Sequence, residues 1–153
     1  MKMKAGLLSL SLLVAVTIMG GCATSQPRLT QDEILAQYPM VANLDRSVNS
    51  ARSKGSELLA PDSFNKALES LENAMSAAQS NKADTANLEA SEGLNVMNKV
   101  NSDTESNREI LSEVLSARER AIGAGVLTLQ ADKLADLDED LKATATLVED
   151  GNI

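Results

Sequence analysis

The sequence predicts an all-α fold: a helical hairpin packed on a long, kinked, coiled-coil-like helix. Three observations lead there. Apolar residues recur at three- and four-residue spacing from Met40 almost to the end of the chain. No segment alternates apolar and polar residues as a half-buried strand does, and β-branched residues are scattered. Gly55 and Pro61 stand where one periodic stretch stops and the next begins.

The first stretch is of a different kind. Lys2 and Lys4 precede an apolar run from Ala5 to Met19, closed by Gly20-Gly21-Cys22-Ala23. A charged start, a short apolar middle and small residues at the cut form a secretory signal peptide. The run is shorter than the roughly 18 apolar residues a spanning helix needs. Cys22 is the only cysteine, and cleavage at this point makes it the first residue of the mature chain. The expected organisation is therefore a signal peptide over 1–21, a lipidated N-terminus and tether over 22–39, and a helical periplasmic domain over 40–153.

Within the tether, Ala23 to Arg28 is polar and contains Pro27. Thr30-Gln31-Asp32-Glu33 then offers a capping box. The helix it starts is brief, because Pro39 disfavours helical geometry at Tyr38. Val41, Leu44, Val48 and Ala51 share one helical stripe, and Gly55 is a natural stop. Pro61 suits a helix's first position, where its missing N–H is no loss. Phe64, Ala67, Leu68, Leu71, Met75 and Ala78 define the apolar face that follows. These two stretches form the expected hairpin. Asn81-Lys82-Ala83 makes a turn, with Asp84 as the expected N-cap of the next helix.

That helix is expected to be long. A seam of alternating three and four runs through Leu94, Met97, Asn101, Thr104, Arg108, Leu111, Leu115, Arg118, Ile122, Gly125 and Leu129. Asn101, Thr104 and Arg108 are consecutive polar occupants, so the middle is either wetted or covered by the hairpin. Gly123 and Gly125 place the expected kink. Leu134, Leu137, Leu141, Thr144 and Val148 resume the spacing on a shifted phase, as a last helix.

The chain carries 14 basic and 22 acidic residues, and losing Lys2 and Lys4 takes its net charge from −8 to −10. This balance excludes nucleic acid and anionic lipid surfaces as expected partners, since phosphate contacts need clustered Lys and Arg. One Phe, one Tyr and no Trp leave no platform for stacked bases. One cysteine makes no internal disulfide, so the fold must hold by helix packing, by self-association or by leaning on a partner.

Chemistry has little to stand on. There is no His to act as base for a serine and no Gly-x-Ser-x-Gly elbow. Zinc would need Cys, His or converging carboxylates. No catalytic residue, cofactor or metal is expected. Asp132, Asp136, Asp138, Glu139 and Asp140 crowd the last helix without the spacing of a calcium loop. They read as a solvated face, or as a docking face for a basic partner. Arg118-Glu119-Arg120 and Glu105 to Arg108 suit carboxylate recognition, or ordinary pairs within a helix.

Met19-Gly20-Gly21-Cys22 resembles the lipobox of bacterial lipoproteins, which implies acylation of Cys22. Ala51-Arg52-Ser53-Lys54-Gly55, Ala60-Pro61-Asp62-Ser63-Phe64-Asn65-Lys66-Ala67 and Leu71-Glu72-Asn73-Ala74 resemble the helical domain-of-unknown-function family 4398. Ala117-Arg118-Glu119-Arg120-Ala121-Ile122-Gly123-Ala124-Gly125 is similar to the segment leading onward in such chains. The family occurs in envelope lipoproteins, often ahead of an OmpA-like peptidoglycan-binding domain. No such domain follows before Ile153, so wall binding is not carried over. The resemblance implies a helical module on a lipid anchor. Ala23, in place of the Asp that often retains lipoproteins at the inner membrane, implies the outer membrane.

The expected function is a non-enzymatic structural or adaptor role, docking an envelope protein in the periplasm. The alternative is a carrier or chaperone for a hydrophobic ligand held between helices. A second copy of the chain is a further partner that the residues leave open.

Overall fold

The computed structural model describes residues 28–152. The expected signal peptide and Cys22 lie outside the described residues. Those described form eight helices and no strand: α1 (Gln31–Gln37), α2 (Pro39–Ser53), α3 (Ser56–Leu59), α4 (Pro61–Gln79), α5 (Ala83–Ile110), α6 (Ser112–Gly123), α7 (Val126–Leu129) and α8 (Ala131–Glu149).

The first helix opens as its capping box requires. The Thr30 hydroxyl accepts from the Glu33 N–H while the Glu33 carboxylate accepts from the Thr30 N–H at 2.8 Å. These hydrogen bonds to Thr30 hold the Glu33 carboxyl below its usual range. Its one apolar anchor, Ile34, is buried in the same core as Val41 and Leu44. Pro39 both stops α1 and opens α2.

The core is assembled from α2, α4 and α5. The α2 stripe of Val41, Leu44, Val48 and Ala51 is wholly buried. It meets Phe64, Ala67, Leu71, Ala74 and Ala78 of α4, and Ala86, Ala90, Met97 and Val100 of α5. So much alanine lets the helix axes approach closely. At Gly93 a Cβ would stand only 2.5 Å from Leu44 Cδ2 and 2.9 Å from Ser70 Cβ. Phe64 fills the widest space in the core, with the Arg52 guanidinium 5.6 Å from its ring centroid.

Two expectations about pairing need correction. The dominant antiparallel hairpin is α4 with α5, not α2 with α4. A turn through Asn81, left-handed at φ 53°, joins the pair. Lys82 rather than Asp84 occupies the N-cap position of α5, and no side chain caps it. The long seam is also divided. The helix breaks at Leu111, well before Gly123, and α6, α7 and α8 continue as separate segments. At this break the Leu111 side chain lies in a second small core with Leu59, Leu141 and Ala145.

The backbone repeats itself. Gly55 and Gly125, seventy residues apart, are both left-handed, at φ 81° and 89°. Each introduces a four-residue helix, then one non-helical residue (Ala60 at φ −144° and ψ 54°, Gln130 at φ −148° and ψ 49°), then a helix of 19 residues. The connecting hydrogen bonds coincide: Gly55 N–H to Arg52 and Gly125 N–H to Ile122, then Ala60 N–H to Ser56 and Gln130 N–H to Val126. The helix ends match as well, since Lys82 N–H donates to Ala77 and Asn152 N–H to Leu147, each at 2.9 Å. Thus α2–α3–α4 and α6–α7–α8 are two copies of one supersecondary unit. The first is covered along α4 by α5.

Candidate functional site

The second unit docks on the first through a few polar contacts that hold α8 in place. Glu149, at its end, reaches the start of α4. Its carboxylate accepts from the Asp62 and Ser63 N–H groups at 3.1 and 3.3 Å and from the Ser63 hydroxyl at 2.7 Å. It supplies from 86 residues away the anionic cap that α4 lacks locally. The Ser63 hydroxyl also lies 2.9 Å from Asp103 Oδ2, its single proton serving one carboxylate at a time. Lys99 donates to the same Asp103 oxygen at 2.8 Å, and that hydrogen bond raises its pKa.

Beneath this contact lies a buried polar layer. Thr104 Oγ1 donates either to Ser56 Oγ at 2.8 Å or to the Val100 carbonyl at 2.7 Å. Asn107 Nδ2 donates to the Leu59 carbonyl at 2.7 Å and the Ala145 carbonyl at 3.2 Å. One carboxamide therefore ties α5, α3 and α8 together, its own Oδ1 remaining buried without a partner. Thr104 is covered by the preceding units as the sequence allowed, while Asn101 is exposed. Asn107 carries no local sequence signal, because its acceptors lie 48 and 38 residues away.

The five acidic residues of α8 do not act alike. Asp132, Asp136, Glu139 and Asp140 are exposed. Asp138 is half-buried and receives both Nε and a terminal nitrogen of Arg118, at 2.5 and 2.7 Å. That bidentate pair crosses from α6 to α8, so it is no pair within one helix, and it pushes the Arg118 pKa up. Arg108 pairs with Glu105 at 2.8 Å and also donates to the Lys54 carbonyl at 2.6 Å, closing α5 onto the α2–α3 corner. The carboxylates that α8 leaves exposed are thus Asp132, Asp136, Glu139 and Asp140, with Asp138 already engaged.

A groove of about 370 Å³ lies between α3 and α6, with Leu58, Leu59 and Leu115 among its lining and Lys54, Arg108 and Arg118 at its edge. No group of three metal-ligating side chains occurs among the described residues, and none of their helices is long and apolar enough to cross a membrane.

The described residues form an all-α fold in which one backbone arrangement occurs twice and the last helix exposes four carboxylates. Comparison with protein-family models, with curated proteins and with solved structures returned no match.

Proposed function

We propose that this chain is a membrane-anchored lipoprotein of the outer membrane, facing the periplasm, with a non-enzymatic adaptor role. Anchoring rests on Cys22 at the end of the apolar run, with the lipobox-like Met19-Gly20-Gly21 before it. Several acyl chains, each contributing about 0.8 kcal/mol per buried CH₂, hold such a protein stably where one chain does not. The observation that carries the adaptor reading is the exposed carboxylate set Asp132, Asp136, Glu139 and Asp140 on a helix whose buried side is pinned by Glu149 and Arg118. A charged face set in place by these contacts suits docking of a basic protein surface.

A Cys22→Ser variant tests the anchor. Labelled palmitate should enter the wild-type chain only, and the variant should leave the membrane fraction or remain unprocessed. Palmitate in the variant would sink the assignment. For the adaptor role, Asp132→Asn, Asp136→Asn, Glu139→Gln and Asp140→Asn together should release the bound envelope protein without altering the fold.

A second reading, a carrier for a hydrophobic ligand, draws on the groove lined by Leu58, Leu59 and Leu115 with cations at its edge. An amphiphile with an anionic head is the ligand such a groove suits. Lipid that co-purifies with the wild type and is lost on Leu115→Asp would favour it.

A further inference from the structure

We propose that the groove between α2 and α5 binds a short acidic segment of a protein partner, laid extended along the two helices with one carboxylate at Arg46 and another at Lys54. This surface lies outside the adaptor reading, which uses α8, and does not depend on it.

The groove reverses the sign of the chain. It encloses about 330 Å³, and Arg46 and Lys54 line it with no carboxylate among the lining residues, although the whole chain stands at net charge −8. Among the described residues neither cationic side chain has an ion pair or a hydrogen bond. The carboxylates beside them in sequence are engaged, Asp45 with Asn49 at 3.1 Å and Glu57 with Arg52 at 3.6 Å. Past Lys54 the groove meets the one between α3 and α6, where Arg108 and Arg118 already hold Glu105 and Asp138. Overall negative charge disfavours a nucleic acid or an anionic lipid surface, whose charge extends beyond the groove. A short segment does not carry that penalty.

The remaining lining selects an extended backbone. Ser50, Asn98 and Asn101 are exposed there, and their side chains make no hydrogen bond among the described residues. Hydroxyl and carboxamide groups pair with peptide N–H and C=O groups. A helix satisfies its own backbone, whereas an extended segment brings backbone groups that need partners. Leu94 and the buried Met97 give the groove an apolar floor. Arg46 and Lys54 are separated by roughly 12 Å of helix at 1.5 Å per residue. An extended chain covers that in about four residues, and alternate side chains point the same way. The matching sequence is Glu-x-Leu-x-Glu, with its leucine on Leu94 and Met97.

The test uses the full-length chain in nanodiscs of zwitterionic lipid, with empty discs as blank. The probes are three fluorescent peptides with glycine–serine flanks: Glu-x-Leu-x-Glu, the same with lysine for glutamate, and the same with serine for leucine. The first should bind, with affinity falling as salt rises, the second should not, and the third should bind more weakly. Arg46→Gln with Lys54→Gln should weaken binding about tenfold, as two exposed ion pairs at the upper end of their usual worth imply. Asn101→Glu should weaken it too. Lys66→Gln with Lys142→Gln removes the same charge from exposed sites on α4 and α8 and should leave binding unchanged. Equal binding of the glutamate and lysine peptides, or of the leucine and serine peptides, overturns the inference. So does equal loss in the two double variants, or no binding at all. Light scattering that shows self-association dissolved by Arg46→Gln with Lys54→Gln would give the groove to a second copy, and overturns it as well. Neutralising the four exposed carboxylates of α8 should leave the peptide bound, so the adaptor reading and this groove fail by separate results.

Discussion

Replacing Gly93 with Ala sets two effects of similar size against each other. Gly93 lies inside the 28-residue α5, where glycine is less favourable than alanine by about 0.8–1.0 kcal/mol. On propensity alone the variant is more stable. The added methyl, however, would lie 2.5 Å from Leu44 Cδ2, 3.0 Å from Leu44 Cδ1 and 2.9 Å from Ser70 Cβ. A leucine tip swings away easily at a surface, but Leu44 is wholly buried between Val41 and Val48. Ser70 Cβ is fixed to the α4 backbone, so relief there requires the α4–α5 axes to part. Overpacking of this kind costs about 1–3 kcal/mol. Packing therefore wins, with a net loss of about 1 kcal/mol and a drop in Tm of roughly 2–5 °C. Urea unfolding followed by circular dichroism measures it. In a Leu44→Ala background the closest clash is gone, and Gly93→Ala should become neutral or stabilising. A single variant more stable than the wild type would refute the close approach of α2, α4 and α5.

Phe64→Ala empties the widest part of the core and should lower stability by about 3–5 kcal/mol, whereas an unchanged melting curve would place the ring outside the core. Asp138→Asn breaks the pair with Arg118, which is about a quarter exposed, and should cost about 1 kcal/mol, read by urea unfolding beside a silent Glu139→Gln. The Lys99 pKa is raised above 10.5 by its hydrogen bond to Asp103. Its contribution to stability is therefore complete below that value and is lost as pH rises through the raised one. Lys99→Met should flatten the alkaline end of the stability profile, and an unaltered profile would show that the pair does not couple to folding.

What the sequence announces and what it conceals divide along the range of the forces involved. The Thr30–Glu33 box, the stop at Gly55 and the start at Pro61 are local, and each is found where its residues put it. The stripes of α2 and α4 are legible because burial follows helical period there. The break at Leu111 is hidden. Its seam position is apolar and in phase, and the residues it packs on, Leu59, Leu141 and Ala145, come from distant helices. The two glycines behave as the residue type allows, yet Gly123 is unstrained and Gly125 carries the left-handed turn. The duplication is hidden too. Gly55, Leu59 and Asp62 recur as Gly125, Leu129 and Asp132, but most other paired positions differ. The backbone geometry matches there through a glycine and a four-residue turn, while the side chains differ with the differing cover of the two units. Of the acidic cluster, four residues are free as composition suggests. Asp138 is not, because only the fold brings Arg118 across to it.

The same asymmetry predicts the order in which the molecule opens. Neither α6 nor α7 buries a residue, and α8 buries only Leu134, Leu141 and Ala145. By contrast, α4 buries most of an apolar face, and α5 buries a stripe from Ala86 to Asn107. Local stability follows such burial, so α6, α7 and α8 should exchange their amide protons well before α4 and α5. What retards them is the polar stitching of Glu149 to the start of α4, of Asn107 to Ala145 and of Arg118 to Asp138. Glu149→Ala removes a cap worth about 0.5–2 kcal/mol. It should speed exchange in α8 and in the first turn of α4, leaving the α4–α5 interior unchanged. Uniform exchange across α4 to α8, in wild type and variant alike, would mean that the two units open as one and that α8 is no separable platform.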